Sequence, residues 1–124
     1  MAKFANDLFM DAAFDWLSTS AVRLAVCSTE PANWAAISGV TLAEATITSG
    51  DFTKANGDTD GRKVTIAAQS GITIDSSGDA QHLVLHDNVS LMMYITTSTT
   101  LTLTSGGGNT VSTPAWDIEI SDPA

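Results

Sequence analysis

The chain has few basic residues and almost no cysteine. Its 5 Lys and Arg stand against 14 Asp and Glu, so the formal net charge over 124 residues is -9. A phosphate backbone would repel such a chain wherever salt does not screen the charges, and we therefore expect no direct nucleic-acid partner. The one cysteine, Cys27, rules out a disulfide within the chain, and no Cys-His signature surrounds it. We interpret Cys27 as a small packing residue.

Long hydrophobic runs and catalytic motifs are also missing. No stretch approaches the ~20 apolar residues that span a bilayer, and residues 1–10 lack a basic region followed by an apolar run. We expect a protein that neither enters a membrane nor uses an ordinary export signal. The sequence has no Gly-x-Ser-x-Gly elbow, and no spacing singles out two carboxylates with separate acid and base roles. We therefore expect a non-enzymatic protein without a cofactor.

What the sequence does have is strand periodicity, most clearly over residues 62–104. Every second residue there is apolar in short segments divided by Gly, Asp, Asn and Ser, the period at which one face of a sheet is buried. These apolar residues are Val64, Ile66, Ile72, Ile74, Leu83, Leu85, Leu91, Met93, Ile95, Leu101 and Leu103. We predict one mainly β domain over residues 1–124, a β-sandwich or partly open barrel of antiparallel strands across residues 21–121, preceded by one α-helix.

The predicted helix covers residues 6–18 and has an unusually wide apolar face. Asn6 is placed to cap it. At ~100° per residue the apolar side chains cover about two thirds of the circumference, more than one sheet can bury. Either a loop of the same chain or a neighbouring subunit must cover the rest. For the second alternative we select Phe9, Phe14 and Trp16 as interface residues.

A second apolar surplus lies at residues 91–95, where nearly every position is apolar. Such a strand is covered on both faces. Met92 and Tyr94 must therefore meet something besides the main core, either the N-terminal helix or a second subunit. We add both to the interface candidates.

The loop over residues 50–61 resembles the start of a calcium-binding loop. Asn56, Asp58 and Asp60 alternate and a Gly follows, but position twelve is not a Glu and the flanks read as strands. The three residues are therefore weak candidates for a structural cation beside the simpler reading of an acidic turn. Arg62 and Lys63 form the one basic pair of the chain, which is suited either to surface ion pairs or to docking on an acidic partner.

The sequence as a whole resembles small virion proteins of tailed bacteriophages. The likeness lies in the helix, the loop GDFTKANGDTDGRKVTIAA, the strands DAQHLVLHD and LMMYITT, and the ending WDIEISDP. It implies a capsid decoration or cement protein that is β-rich and often trimeric. Such a protein binds the major capsid protein between capsomers and stabilises the head, and it would be located in the virion after assembly in the host cytoplasm. The alternatives are a receptor- or carbohydrate-binding β module of a tail or fibre, or a tail structural protein.

Overall fold

Residues 4–123 are described by a computed structural model, and they form two α-helices, nine β-strands and one 3-10 turn. In chain order these are α1 (Asp7–Ser20), β1 (Arg23–Cys27), α2 (Trp34–Val40), β2 (Thr41–Thr46), the 3-10 turn (Ser49–Asp51), β3 (Phe52–Asn56), β4 (Arg62–Ile66), β5 (Gln69–Thr73), β6 (Gly78–His86), β7 (Met92–Leu103), β8 (Thr110–Thr113) and β9 (Trp116–Ile120).

The strands form three antiparallel sheets. The large sheet has the order β2-β1-β6-β7, a three-stranded sheet has the order β3-β4-β9, and β5 pairs with β8. A single bridge links Ala43 of β2 to Ile74, the residue after β5. The order β8-β5-β2-β1-β6-β7 therefore results, without a closing pair between β7 and β8. The predicted mainly β, antiparallel architecture with an N-terminal helix is confirmed, and within residues 4–123 it is not a closed barrel.

The main core lies between these sheets and the inner face of α1. It contains buried side chains from each sheet, among them Leu24, Leu85, Val64, Ile66 and Ile72. A smaller cluster lies on the other side of the large sheet, where Ala25, Cys27 and Val84 pack against Ile37 of α2. The alternating strands therefore bury both faces of the large sheet near its centre.

Helix α1 begins where its cap predicts. The Asn6 side chain accepts a hydrogen bond from the backbone N–H of Leu8 at 2.8 Å, and Asp7 lies in the first turn, near the positive end of the helix dipole. The helix runs two residues beyond the predicted end at residue 18. Because Ala21 at its C-cap is already buried in the core, the chain passes directly from the helix into β1.

Several boundaries differ from the sequence-based expectation. The segment 50–61, predicted as a loop, contains β3, whose polar residues Thr53 and Lys54 hide the alternation. Two predicted strands around Leu91 and Leu101 are one strand, β7, which pairs with β6 on both sides of a bulge at residues 98–100. Strand β8, with only four residues, was missed.

Candidate functional site

The most prominent surface feature is a second apolar face on α1, turned away from the core. Met10, Phe14 and Leu17 form the inner face and are buried, whereas on the opposite side Leu8, Phe9 and Trp16 are 80%, 77% and 51% exposed. Ala12 lies between Leu8 and Phe9 around the helix, Ala13 lies next to Phe9, and both are also exposed. We call these five residues, Leu8, Phe9, Ala12, Ala13 and Trp16, the outer face of α1. Phe4, just before the helix, adds another exposed aromatic side chain.

The outer face is large enough to matter energetically. With about 150–250 Å² for each large aromatic side chain, Leu8, Phe9 and Trp16 leave on the order of 400 Å² of apolar surface in water. The largest contiguous apolar patch on a typical soluble monomer is about 300–600 Å² and is often functional, so a patch of this size is a candidate interaction site. The arrangement can therefore drive association with another apolar surface.

An ion pair fixes the helix to the three-stranded sheet. Nε and Nη2 of Arg62 donate to the two carboxylate oxygens of Asp11 at 2.9 and 3.1 Å, and Nη1 of Arg62 donates to Asn56. Both charged side chains are largely buried, and the hydrogen bonds from Arg62 hold the pKa of Asp11 below its usual value. Lys54 on β3 forms a second ion pair with Asp15. These contacts hold α1 in one orientation.

The structure separates the predicted interface residues. Phe9 and Trp16 are on the outer face, but Phe14 is 3% exposed and belongs to the core, so it is removed from the interface candidates. The sequence could not settle this, because Phe9 and Phe14 both lie within the same wide apolar arc.

The residues of β7 selected as interface candidates have neighbours within the chain. Met92 packs against the small cluster beneath α2, and the ring of Tyr94 lies 5.9 Å from that of Trp116. Helix α1 packs mainly on β3, β4 and the 3-10 turn, so the alternative in which it covers Met92 and Tyr94 has no support. Met92 is half-buried, and Tyr94 keeps part of its ring at the surface.

In the calcium-like loop, basic side chains and a backbone N–H group of the protein itself donate hydrogen bonds to the candidate ligands. The Asn56 side-chain oxygen accepts from Arg62, the Asp58 carboxylate accepts from Lys63 at 2.7 Å, and Asp60 accepts from the backbone N–H of Asp122. Within residues 4–123 no group of three His, Cys, Asp or Glu side chains converges as metal ligands. The geometry therefore gives the cation hypothesis for Asn56, Asp58 and Asp60 no support.

Arg62 and Lys63, the predicted docking pair, both form ion pairs within the chain. Arg62 is committed to Asp11 and Asn56, and Lys63 lies between Asp58 and Asp117, whose carboxylate is 3.5 Å from Nζ. These bonds leave the pair poorly placed to dock on an acidic partner. Its evident contribution is to the packing of α1 and the 56–61 turn.

A groove between β7 and β8 was not predicted from the sequence. It has a volume of about 290 Å³ and is lined on one side by residues 96–99 and Leu101 and on the other by residues 111–114 and Trp116. Ala80 and Leu83 of the main core form part of its floor. Its only sequence signal is the run of Thr and Ser at residues 96–100, which breaks the apolar alternation.

A second concavity, of about 240 Å³, lies beside α2. There Nε2 of the buried His86 is 3.3 Å from the Glu44 carboxylate, while Nδ1 accepts the backbone N–H of Asn88 at 3.0 Å. Both ring nitrogens are therefore occupied. Ser38 also lines this concavity, but the imidazole has no nitrogen left to remove its proton.

Comparisons with known proteins give no further indication of identity. No helix in the described part of the chain is long and apolar enough to cross a membrane. No family model, curated protein or solved structure matches this chain.

Proposed function

We propose that this chain is a non-enzymatic structural protein of a tailed-bacteriophage particle, a capsid decoration or cement protein. In this proposal it associates with itself, as a trimer, and binds the major capsid protein between capsomers, where it reinforces the head. The residues that carry this role are Phe9 and Trp16 with their neighbours on the outer face of α1. Tyr94 and Met92, on a different surface, are secondary candidates.

The observation that supports the proposal is the outer face of α1. A helix that buries one apolar face in the core and presents another to water gains little stability from the second face as a monomer. In a trimer whose outer faces meet, each copy removes about 400 Å² of apolar surface from water. A polar rim brings the buried area toward the roughly 800 Å² per partner that is typical of specific interfaces.

The way α1 is mounted favours binding. Met10, Phe14 and Leu17 fix its inner face, and the pair between Asp11 and Arg62 fixes its rotation. A rigid, pre-oriented surface loses less conformational entropy when it binds than a mobile one. Rigid mounting is thus suited to a reinforcing role.

The charge of the chain makes association dependent on salt. Copies with a net charge of -9 repel one another, and Asp7 and Asp15 lie on the same helix as the outer face. Salt screens this repulsion but leaves apolar contacts intact. We expect self-association to strengthen between low and moderate ionic strength, the opposite of an interface held by ion pairs.

Rebinding to capsids tests the proposal. Purified protein is mixed with heads of the bacteriophage that carries it, prepared without it, and bound protein is measured by co-sedimentation. Saturable binding is expected for the wild type and for the control Val89→Ser, which removes an equally exposed apolar side chain elsewhere. Loss of binding is expected for the double variant Phe9→Ser, Trp16→Ser. No binding of the wild type at saturating concentration would eliminate the capsid role.

A further inference from the structure

We propose that the groove between β7 and β8 is a binding site for an extended, uncharged peptide segment of a partner protein, which inserts an apolar side chain toward the core. No residue of α1 lines this groove. The inference therefore goes beyond the proposed function and does not depend on it.

The strand pairing explains why the groove exists. In the part of the chain that the structure describes, β7 pairs with β6 alone and β8 with β5 alone, so each strand has a free edge. The two strands line opposite sides of the groove. A free strand edge presents unpaired backbone N–H and C=O groups, which are a template for another extended segment.

A bulge in β7 shapes the groove. Ala80 of β6 pairs with Leu101, but His82, two residues further along, pairs with Thr97, four residues back along β7. The additional residues leave the ladder at 98–100, and two of them, Ser98 and Thr99, line the groove. Bulges of this kind recur beside binding sites, where they interrupt pairing and redirect side chains.

Two buried hydrogen-bonding groups at the groove lack a partner. Thr113 is only 5% exposed, and neither its hydroxyl oxygen nor Nε1 of Trp116 has a hydrogen-bond partner among residues 4–123. Leaving such groups unpaired when they are shielded from water is unfavourable. A peptide offers carbonyl oxygens at regular intervals, and these are the acceptors that both donors lack.

The lining also indicates the chemistry of the occupant. In a chain with a net charge of -9, this groove is lined without a single Asp, Glu, Lys or Arg. Its floor is apolar, with Leu83 and Val111, and its rim carries Thr and Ser hydroxyls. A charged side chain would lose its hydration there without gaining a partner. The complementary segment is therefore uncharged, with an apolar side chain over the floor.

Defined peptides test this site. Binding is measured by NMR titration of labelled protein with Ac-Thr-Leu-Thr-Leu-Thr-NH2, with the single-residue analogue Ac-Leu-NH2, and with Ac-Thr-Asp-Thr-Asp-Thr-NH2. We expect the pentapeptide to shift the resonances of residues 96–101 and 111–116 and to bind at least tenfold more tightly than Ac-Leu-NH2, because only the longer peptide pairs with the strand edges. The Asp peptide should not bind. Equal affinity of Ac-Leu-NH2 and the pentapeptide would instead identify a small-molecule site and overturn the proposal.

The variant Thr113→Val adds a test that separates binding from folding. It removes the unpaired hydroxyl, so we expect a higher melting temperature together with at least fivefold weaker pentapeptide binding. The matched control Thr110→Val, on the same strand but outside the groove lining, should leave affinity unchanged. Unchanged affinity in Thr113→Val, or no shift of groove resonances at millimolar peptide, would refute the site.

Discussion

The two faces of α1 can be compared with one pair of substitutions, Phe14→Ala and Phe9→Ala. Both remove the same side chain from the same helix, so the change in helix propensity is equal. Phe14 is 3% exposed within the core and Phe9 is 77% exposed. Any difference between the variants therefore reports burial within one copy of the chain.

The structure sets the expected magnitudes. Phe14→Ala should lower the free energy of unfolding by about 3–5 kcal/mol, the range for a fully buried Phe that leaves a cavity. Phe9 buries roughly 50 Å² of its surface, worth about 1 kcal/mol at ~25 cal/mol per Å². The better helix propensity of Ala offsets about half of that. Phe9→Ala should therefore change stability by less than about 1 kcal/mol.

The assay is urea denaturation, followed by tryptophan fluorescence and circular dichroism at submicromolar concentration, where self-association is minimal. The same variants are then compared at tens of micromolar. In dilute solution Phe9→Ala is expected to have nearly the same free energy of unfolding as the wild type. At tens of micromolar the wild type should become more stable through self-association, whereas Phe9→Ala should not. If Phe9→Ala costs as much as Phe14→Ala in dilute solution, the outer face is already covered within one copy and the reasoning fails.

Three further predictions concern buried and hydrogen-bonded groups. Asp11→Asn should reduce stability at pH 7 by about 1–3 kcal/mol, because Arg62 loses its charged partner in a largely buried setting. The folded-state pKa of Asp11 is lowered, so the stability difference between wild type and Asp11→Asn should be fully present above about pH 4. It should vanish as the pH falls through the folded-state pKa of Asp11. A pH series of urea midpoints measures this, with Glu30→Gln as the exposed control. Asp87 accepts hydrogen bonds from three successive backbone N–H groups, which lower its pKa, so Asp87→Asn should flatten the acid dependence in the same pH range, and an unchanged profile would contradict this. Burial raises the pKa of the Cys27 thiol, so native protein at pH 8 should react with a thiol reagent only after urea unfolds it, and rapid labelling of the folded state would show that the site is open.

Sequence periodicity identified the elements that depend on local pattern. The apolar alternation at Val64 and Ile66 predicted β4, and Asn6 before an amphipathic run predicted the start of α1. Both signals arise from residues adjacent in sequence, so no knowledge of the remaining chain was needed.

Features that depend on distant partners were not accessible in this way. The arc of α1 contains Phe9 and Phe14 alike, and only the position of the sheets decides which of them is buried. Likewise, the sequence left open whether Arg62 forms an ion pair or docks on an acidic partner, because its partner Asp11 lies 51 residues earlier. The groove exists because β7 and β8 do not pair with each other, and the residues of neither strand predict this from the sequence alone.

Sedimentation velocity across a concentration series, from submicromolar to tens of micromolar, tests most directly whether the outer face of α1 is an interface. The account predicts that the wild type and Val89→Ser reach an oligomer, as a trimer in our proposal, while Phe9→Ser, Trp16→Ser stays monomeric with an unchanged circular dichroism spectrum. A wild type that remains a monodisperse monomer throughout, or a double variant that assembles as well as the wild type, would contradict it.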